Sequence, residues 1–167
     1  MEPTDVLATI AELAVAFAGF SGIVAALGRR EEGAVFPEDR VRLGLLIGAS
    51  LSTTAFALLP LALWEVVGSA DRVWAIASAI YLPYGLAIVL VSERNARRAR
   101  AEDPDVTRRV SPLPMRFSTY VGFPIVIGLQ IANVVSWWRF TPFLVALLWG
   151  LVGCAIGFAG LVRALHR

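Results

Sequence analysis

Five long apolar runs constrain this chain more than any other feature. They cover residues 6–28, 43–67, 73–92, 117–138 and 140–163, and Glu12 is the charge that lies well inside a run, whereas Glu65 and Arg163 lie near run ends. A helix of about 20 apolar residues crosses the hydrocarbon core of a bilayer. We therefore predict an all-α, polytopic transmembrane helical bundle with five spans. The segment between the last two runs is very short, which leaves one alternative for the span count. If one run is re-entrant, the chain has four spans.

The composition agrees with a chain that lies mostly in lipid. Hydrophobic residues make up 57% of the 167 residues and charged residues 17%. Soluble domains average about 45–50% apolar and 25% charged residues. We therefore treat residues 1–167 as a single integral membrane domain. The acidic start of the chain does not have the basic n-region of a signal peptide, so the first run is expected to remain as a helix.

The distribution of arginine predicts the orientation. If the N-terminus is outside, the predicted outer segments hold only Arg72 and Arg139 of the 15 basic residues. Cytoplasmic loops carry an excess of basic residues, so this bias predicts an N-out, C-in topology with a cytoplasmic loop over residues 93–116. The chain uses Arg and no Lys, which is typical of GC-rich bacterial genomes. The expected location is the bacterial inner membrane, as a multi-pass protein.

A cluster of arginines opens the predicted cytoplasmic loop. Its members are Arg94, Arg97, Arg98 and Arg100. Such a cluster attracts anionic lipid head groups, by about 1 kcal/mol per Arg near the surface. The alternative is that the cluster only sets the topology. Nucleic acid is not an expected partner, because the cluster is short, interleaved with acids and without aromatic residues for stacking.

Small residues recur at helical spacing and predict where helices pack closely. Helices in lipid associate through such residues because their backbones can approach each other. The predicted helix-packing glycines are Gly19 and Gly22 in the first run, Gly44 and Gly48 in the second, and Gly150, Gly153, Gly157 and Gly160 in the last. These stripes also favour a homo-oligomer.

The candidate functional residues are the polar side chains within the apolar runs. A carboxylate at the centre of a span costs roughly 2.5–3.5 kcal/mol on insertion scales, so Glu12 should face other helices or water. Counting along the runs places several polar groups at a similar depth, and we predict an ion or proton site formed by Glu12, Asn133, Gln130, Tyr81 and Glu65. Four hydroxyl residues of the second run are predicted to line the path: Ser50, Ser52, Thr53 and Thr54. The alternative for Glu12 is a structural role, hydrogen-bonded to Asn133 or Gln130.

These residues favour two functions. The first is an oligomeric cation- or proton-conducting channel or transporter, whose path forms between protomers and uses Glu12. The second is a non-catalytic membrane subunit or scaffold that binds a partner membrane protein or anionic lipid. An enzyme is not expected, since the chain holds one His and one Cys and has no CxxC, HExxH or P-loop motif. No cofactor or metal is predicted.

Overall fold

The computed structural model describes residues 2–32, 37–102 and 118–164, and this part of the chain is helical and contains no strand. Helix α1 spans Pro3–Glu32, α2 spans Pro37–Val67 and α3 spans Ala70–Glu102. The fourth helical segment begins with a π-helical stretch, Ser118–Gly122, continues as α4 (Phe123–Ala132) and ends with a second π-helical stretch, Asn133–Trp137. Helix α5 spans Phe140–Ala164.

Five of these segments are long and apolar enough to cross a membrane. They are Pro3–Val24, Leu43–Val67, Ala70–Val91, Tyr120–Trp137 and Phe140–Gly160. The predicted all-helical fold with five spans is therefore confirmed, and the alternative with four spans is not supported. The N-out, C-in orientation remains a prediction. Helix α3 extends beyond its span to Glu102, and the rest of the predicted cytoplasmic loop, from residue 103 to 116, lies outside the described residues.

The chain divides into two compact units. The first comprises Met1–Ala62 and Leu147–Arg167, and thus contains α1, most of α2 and most of α5. The second comprises Leu63–Ala146, and thus contains α3, α4 with its π-helical stretches, and the first turns of α5.

The first unit packs around Leu46 and the buried Cys154. Phe17 and Val24 of α1, Leu43 and Ala49 of α2, and Phe158 of α5 lie against this pair. Helix α1 buries a stripe at helical spacing, with Leu7, Ile10, Ala14 and Ser21 buried. Residues three and four apart lie on one face of a helix, so this stripe leaves the opposite face of α1 outside the core.

The second unit packs α3 against α4 and the π-helical stretch that follows it. Trp74 of α3 contacts Phe140 and Phe143 of α5, with ring centroids 5.0 and 6.3 Å apart respectively. Gly85 lets α3 approach α4 closely: a Cβ at this position would lie 3.1 Å from both Ile127 Cδ1 and Phe123 Cζ.

Two short turns connect the described spans. Gly68 ends α2 with a positive φ of 63°, a conformation that costs glycine nothing because it lacks a Cβ. Only Trp138 and Arg139 separate the fourth span from α5. Trp138 also has a positive φ, 51°, which is rare for a side chain of this size. The second turn therefore needs other interactions to hold it.

Candidate functional site

Glu12 lies on the exposed side of α1, within the span Pro3–Val24. Its carboxylate makes no hydrogen bond or ion pair with any described residue. It belongs to the first unit, whereas Gln130, Asn133 and Tyr81 belong to the second. The predicted site therefore does not form within either unit, and Glu12 has to be considered by itself.

Small side chains lie one and two turns along α1 from Glu12, and the larger exposed side chains of Leu13 and Val15 flank them. Ala8, Ala16 and Gly19 are exposed and share its face of α1, as their helical spacing requires. A Cβ added to Gly19 would meet no described atom within 4 Å. We call the exposed surface formed by Ala8, Glu12, Ala16 and Gly19 the Glu12 face.

The hydroxyl residues of α2 donate their hydrogen bonds inside the first unit. Ser52, Thr53 and Thr54 each donate to the carbonyl four residues earlier, at 2.7, 2.9 and 3.0 Å respectively. Ser50 Oγ donates to Cys154 Sγ at 3.4 Å. Ser50 and Thr53 are buried, and Ser52 and Thr54 are half-buried. Each of the four hydroxyl groups therefore donates its hydrogen bond to another atom of the first unit.

The predicted packing glycines fall into two groups. Gly150 and Gly157 contact α2: a Cβ on Gly150 would lie 2.6 Å from Thr53 Oγ1, and one on Gly157 would lie 3.4 Å from Leu46 Cδ1. The others have no described atom within 4 Å of such a Cβ; they are Gly19, Gly22, Gly44, Gly48, Gly153 and Gly160. Of the glycines predicted from the sequence, Gly150 and Gly157 are therefore the ones in close contact with another described helix.

Asn133 is the centre of a buried hydrogen-bond network in the second unit. Its Nδ2 donates to Ser78 Oγ at 2.8 Å and approaches the Trp74 carbonyl at 3.5 Å. Its Oδ1 accepts from the Arg139 backbone N–H at 2.8 Å, and its carbonyl accepts from the Trp138 N–H at 3.1 Å. The same residue thus fixes the left-handed turn and joins it to α3.

Gln130, one turn before Asn133, is also fully buried. Its Nε2 donates to the Pro142 carbonyl at 2.7 Å, which ties α4 to the first turn of α5. Its Oε1 is buried and has no partner among the described residues. The two amides predicted to coordinate an ion therefore hold the last two spans together, and they do so within one unit.

The turn that Asn133 fixes forms one wall of a cavity of about 500 Å³. The cavity lies entirely within the second unit and is lined by Leu129, Ser136, Trp137, Arg139, Thr141, Pro142 and Val145. The guanidinium of Arg139 is exposed and has no ion pair with a described residue. A cation, two hydroxyls and several apolar side chains therefore share one concave surface.

The remaining predicted residues are placed as follows. Tyr81 is buried in α3, in edge-on contact with Tyr84 at a centroid distance of 6.3 Å, and Glu65 is exposed near the end of α2. Of the arginine cluster, Arg94, Arg97 and Arg98 are exposed, and Arg97 pairs with Glu93 at 3.1 Å; Arg100 lies on the same helix. Among the described residues, no three His, Cys, Asp or Glu side chains come together as metal ligands.

Comparison with known proteins gives no relative from which a function could be transferred. The sequence matches no protein-family model, and neither a curated protein nor a solved structure is significantly similar to it. Function therefore has to be argued from the residues of this chain alone.

Sequence reasoning did not single out Ser78 or Gly85, and it used Arg139 only for the topology. One signal for Arg139 was available: a joint of two residues between two spans leaves backbone N–H groups without helical partners, and a nearby Asn is a suitable acceptor. Nothing in the sequence pairs Ser78 with Asn133, which lies 55 residues later.

Proposed function

We propose that this integral membrane protein associates with further copies of itself through the Glu12 face, and that the Glu12 carboxylates at the contact bind protons or cations and pass them across the bilayer. The observation that carries the proposal is the position of Glu12: exposed on α1, inside an apolar span, with no partner among the described residues. Such a carboxylate facing lipid costs roughly 2.5–3.5 kcal/mol on insertion scales.

The neighbours of Glu12 favour a helix as the occupant of this face. Ala8, Ala16 and Gly19 present little side chain, so a second helix can approach the α1 backbone closely. A large apolar side chain at these positions would keep the second helix away from the carboxylate. The small side chains therefore allow the contact to enclose Glu12.

A second copy of this chain would both cover the Glu12 face and create a site for a proton or cation. When two such faces meet, two carboxylates come close together, and like charges at short range cannot both remain ionised without compensation. A shared proton or a bound cation supplies that compensation. Sites that bind in this way and lie within a bilayer are typical of ion pathways and proton relays.

The proposal is narrower than the site predicted from the sequence. Asn133 and Gln130 make their hydrogen bonds in the second unit, and the hydroxyls of α2 donate within the first. We therefore assign these residues a structural role and base the proposed conduction on Glu12 alone.

Flux measurements in liposomes test the conduction. Wild-type protein should carry protons or monovalent cations down a gradient, Glu12→Gln should abolish this flux, and Glu12→Asp should retain part of it. Glu65 belongs to the site predicted from the sequence, but it lies in the second unit near the end of its span, and the narrower proposal does not use it. Glu65→Gln is therefore the matched control, because Glu65 is also an exposed carboxylate. It should conduct like the wild type.

Two results would contradict the proposal. One is wild-type liposomes that are as tight as protein-free ones, and the other is a Glu12→Gln variant that conducts like the wild type. A protein that stays monomeric in lipid and copurifies with another membrane protein would instead support the scaffold function.

A further inference from the structure

The cavity at the turn between the fourth span and α5 is separate from the Glu12 face. It is an open depression of about 500 Å³, and seven residues of one compact unit line it. Its polar side chains are Arg139, Ser136 and Thr141. Arg139 and Thr141 can donate hydrogen bonds to a ligand, whereas the Ser136 hydroxyl already donates to the Ala132 carbonyl at 3.2 Å. The lining contains no carboxylate.

The charge of Arg139 is available to a ligand. No described carboxylate pairs with its guanidinium. The guanidinium fork matches the oxygens of a phosphate group in bidentate fashion. The N-terminus of α5, a helix of 25 residues, begins next to Arg139 and adds a partial positive charge. The charges and donors around the cavity therefore favour an anion with several acceptor oxygens.

The backbone at Arg139 is held in place before any ligand binds. Asn133 Oδ1 accepts the Arg139 N–H at 2.8 Å, and the indole Nε1 of Trp138 donates to the Val134 carbonyl at 3.1 Å. The turn is therefore fixed by hydrogen bonds on both of its residues. A fixed backbone lowers the conformational entropy that Arg139 loses on binding.

The apolar lining indicates what carries the anion. Leu129, Trp137, Pro142 and Val145 surround the polar groups. Trp137 also ends a membrane span, a position at which tryptophan favours the head-group level of the bilayer. A phosphate attached to glycerol and acyl chains would place its charge on Arg139 and its apolar part along these residues.

We infer that this cavity binds a phosphate group, with Arg139 as the cationic ligand residue and Thr141 as a further donor. Two sources supply this chemistry: the head group of an anionic phospholipid, and a soluble phosphate ester. The apolar lining favours the phospholipid.

Binding to the purified protein in detergent tests the inference. The probes are short-chain phosphatidylglycerol, short-chain phosphatidylcholine and glycerol 3-phosphate, and the readouts are the thermal unfolding temperature and the number of bound molecules by native mass spectrometry. Phosphatidylglycerol should raise the unfolding temperature of the wild type and bind more tightly than phosphatidylcholine. Binding of glycerol 3-phosphate with equal affinity would assign the site to soluble phosphate esters.

Variants locate the site. Arg139→Gln should weaken phosphatidylglycerol binding by about tenfold or more, because it removes a charged hydrogen-bond donor. Arg72→Gln is the matched control, since Arg72 is an exposed arginine that does not line the cavity. Thr141→Val, which keeps Arg139, should weaken binding by about threefold. It serves as the second variant if Arg139→Gln does not fold.

The inference is wrong if neither anion stabilises the wild type. It is equally wrong if Arg72→Gln weakens binding as much as Arg139→Gln does, because the effect would then be a general loss of surface charge.

Discussion

The side chain of Asn133 accepts a hydrogen bond from the backbone N–H of Arg139 at 2.8 Å, across the turn that joins the last two spans. Asn133 is fully buried, and its amide nitrogen donates to Ser78 on α3. One residue therefore stabilises a two-residue turn, compensates the left-handed conformation of Trp138 and connects both spans to a third helix. This explains how so short a joint forms between two membrane helices.

Removing the amide of Asn133 should destabilise the second unit. Asn133→Ala leaves the Arg139 N–H without its acceptor and the Ser78 hydroxyl without its donor. We expect this change to lower the free energy of unfolding by about 2 kcal/mol. The measurement is unfolding of the purified protein in mixed micelles. Ser136→Ala is the control, because Ser136 is exposed and bonds only to the carbonyl of its own helix; it should stay within about 0.5 kcal/mol of the wild type.

A double-mutant cycle tests whether Ser78 and Asn133 act together. If their hydrogen bond is the interaction that matters, Ser78→Ala and Asn133→Ala should show a coupling energy of about 0.6–1.7 kcal/mol, the range of such bonds in membranes. Strict additivity of the two changes would contradict the network.

Gln130 should tolerate an apolar substitution better than Asn133 does. Its Nε2 bonds to the Pro142 carbonyl, but its Oε1 is buried without a partner among the described residues. Gln130→Met loses the hydrogen bond to the Pro142 carbonyl, but it also removes the cost of burying Oε1 without a partner. The free energy of unfolding should therefore change by less than about 1 kcal/mol. A loss as large as that of Asn133→Ala would indicate that Oε1 has a partner, such as a buried water.

Replacing glycine by alanine in α5 should have different effects on stability at a glycine that contacts α2 and at one that does not. Gly150→Ala places a Cβ 2.6 Å from Thr53 Oγ1, so Thr53 or α2 must move. Overpacking of this kind costs about 1–3 kcal/mol. Gly153→Ala is the matched control on the same helix, since its Cβ meets no described atom within 4 Å. Thermal unfolding should distinguish the two variants, and equal unfolding temperatures would contradict the packing of α5 on α2.

The spans could be predicted from the sequence because their length and lack of charge leave few alternatives. The faces of the helices could not. Lipid is as apolar as a protein core, so Leu7, which is buried, and Leu13, which is exposed, look alike in the sequence. Depth alone brought Glu12, Gln130 and Asn133 together in the prediction. The directions of their side chains, and so their partners, depend on how each helix is rotated about its axis.

The same limit applies to the roles of the amides. An Asn and a Gln within a span can coordinate an ion or join helices, and the residue types suit both roles. Asn133 lies where the fourth span must turn back, and the Arg139 N–H there requires an acceptor. That requirement comes from the geometry of the turn, which the sequence indicates only by the shortness of the joint.

Disulfide crosslinking in native membranes tests most directly the claim that the Glu12 face contacts a second copy. Ala16→Cys places a thiol on this face, and Ile80→Cys places one on an exposed position of α3 as the control. The native Cys154 is buried and should not react. We expect Ala16→Cys to form a crosslinked dimer under mild oxidation while Ile80→Cys stays monomeric. A monomer in both variants, or equal crosslinking in both, would contradict the account.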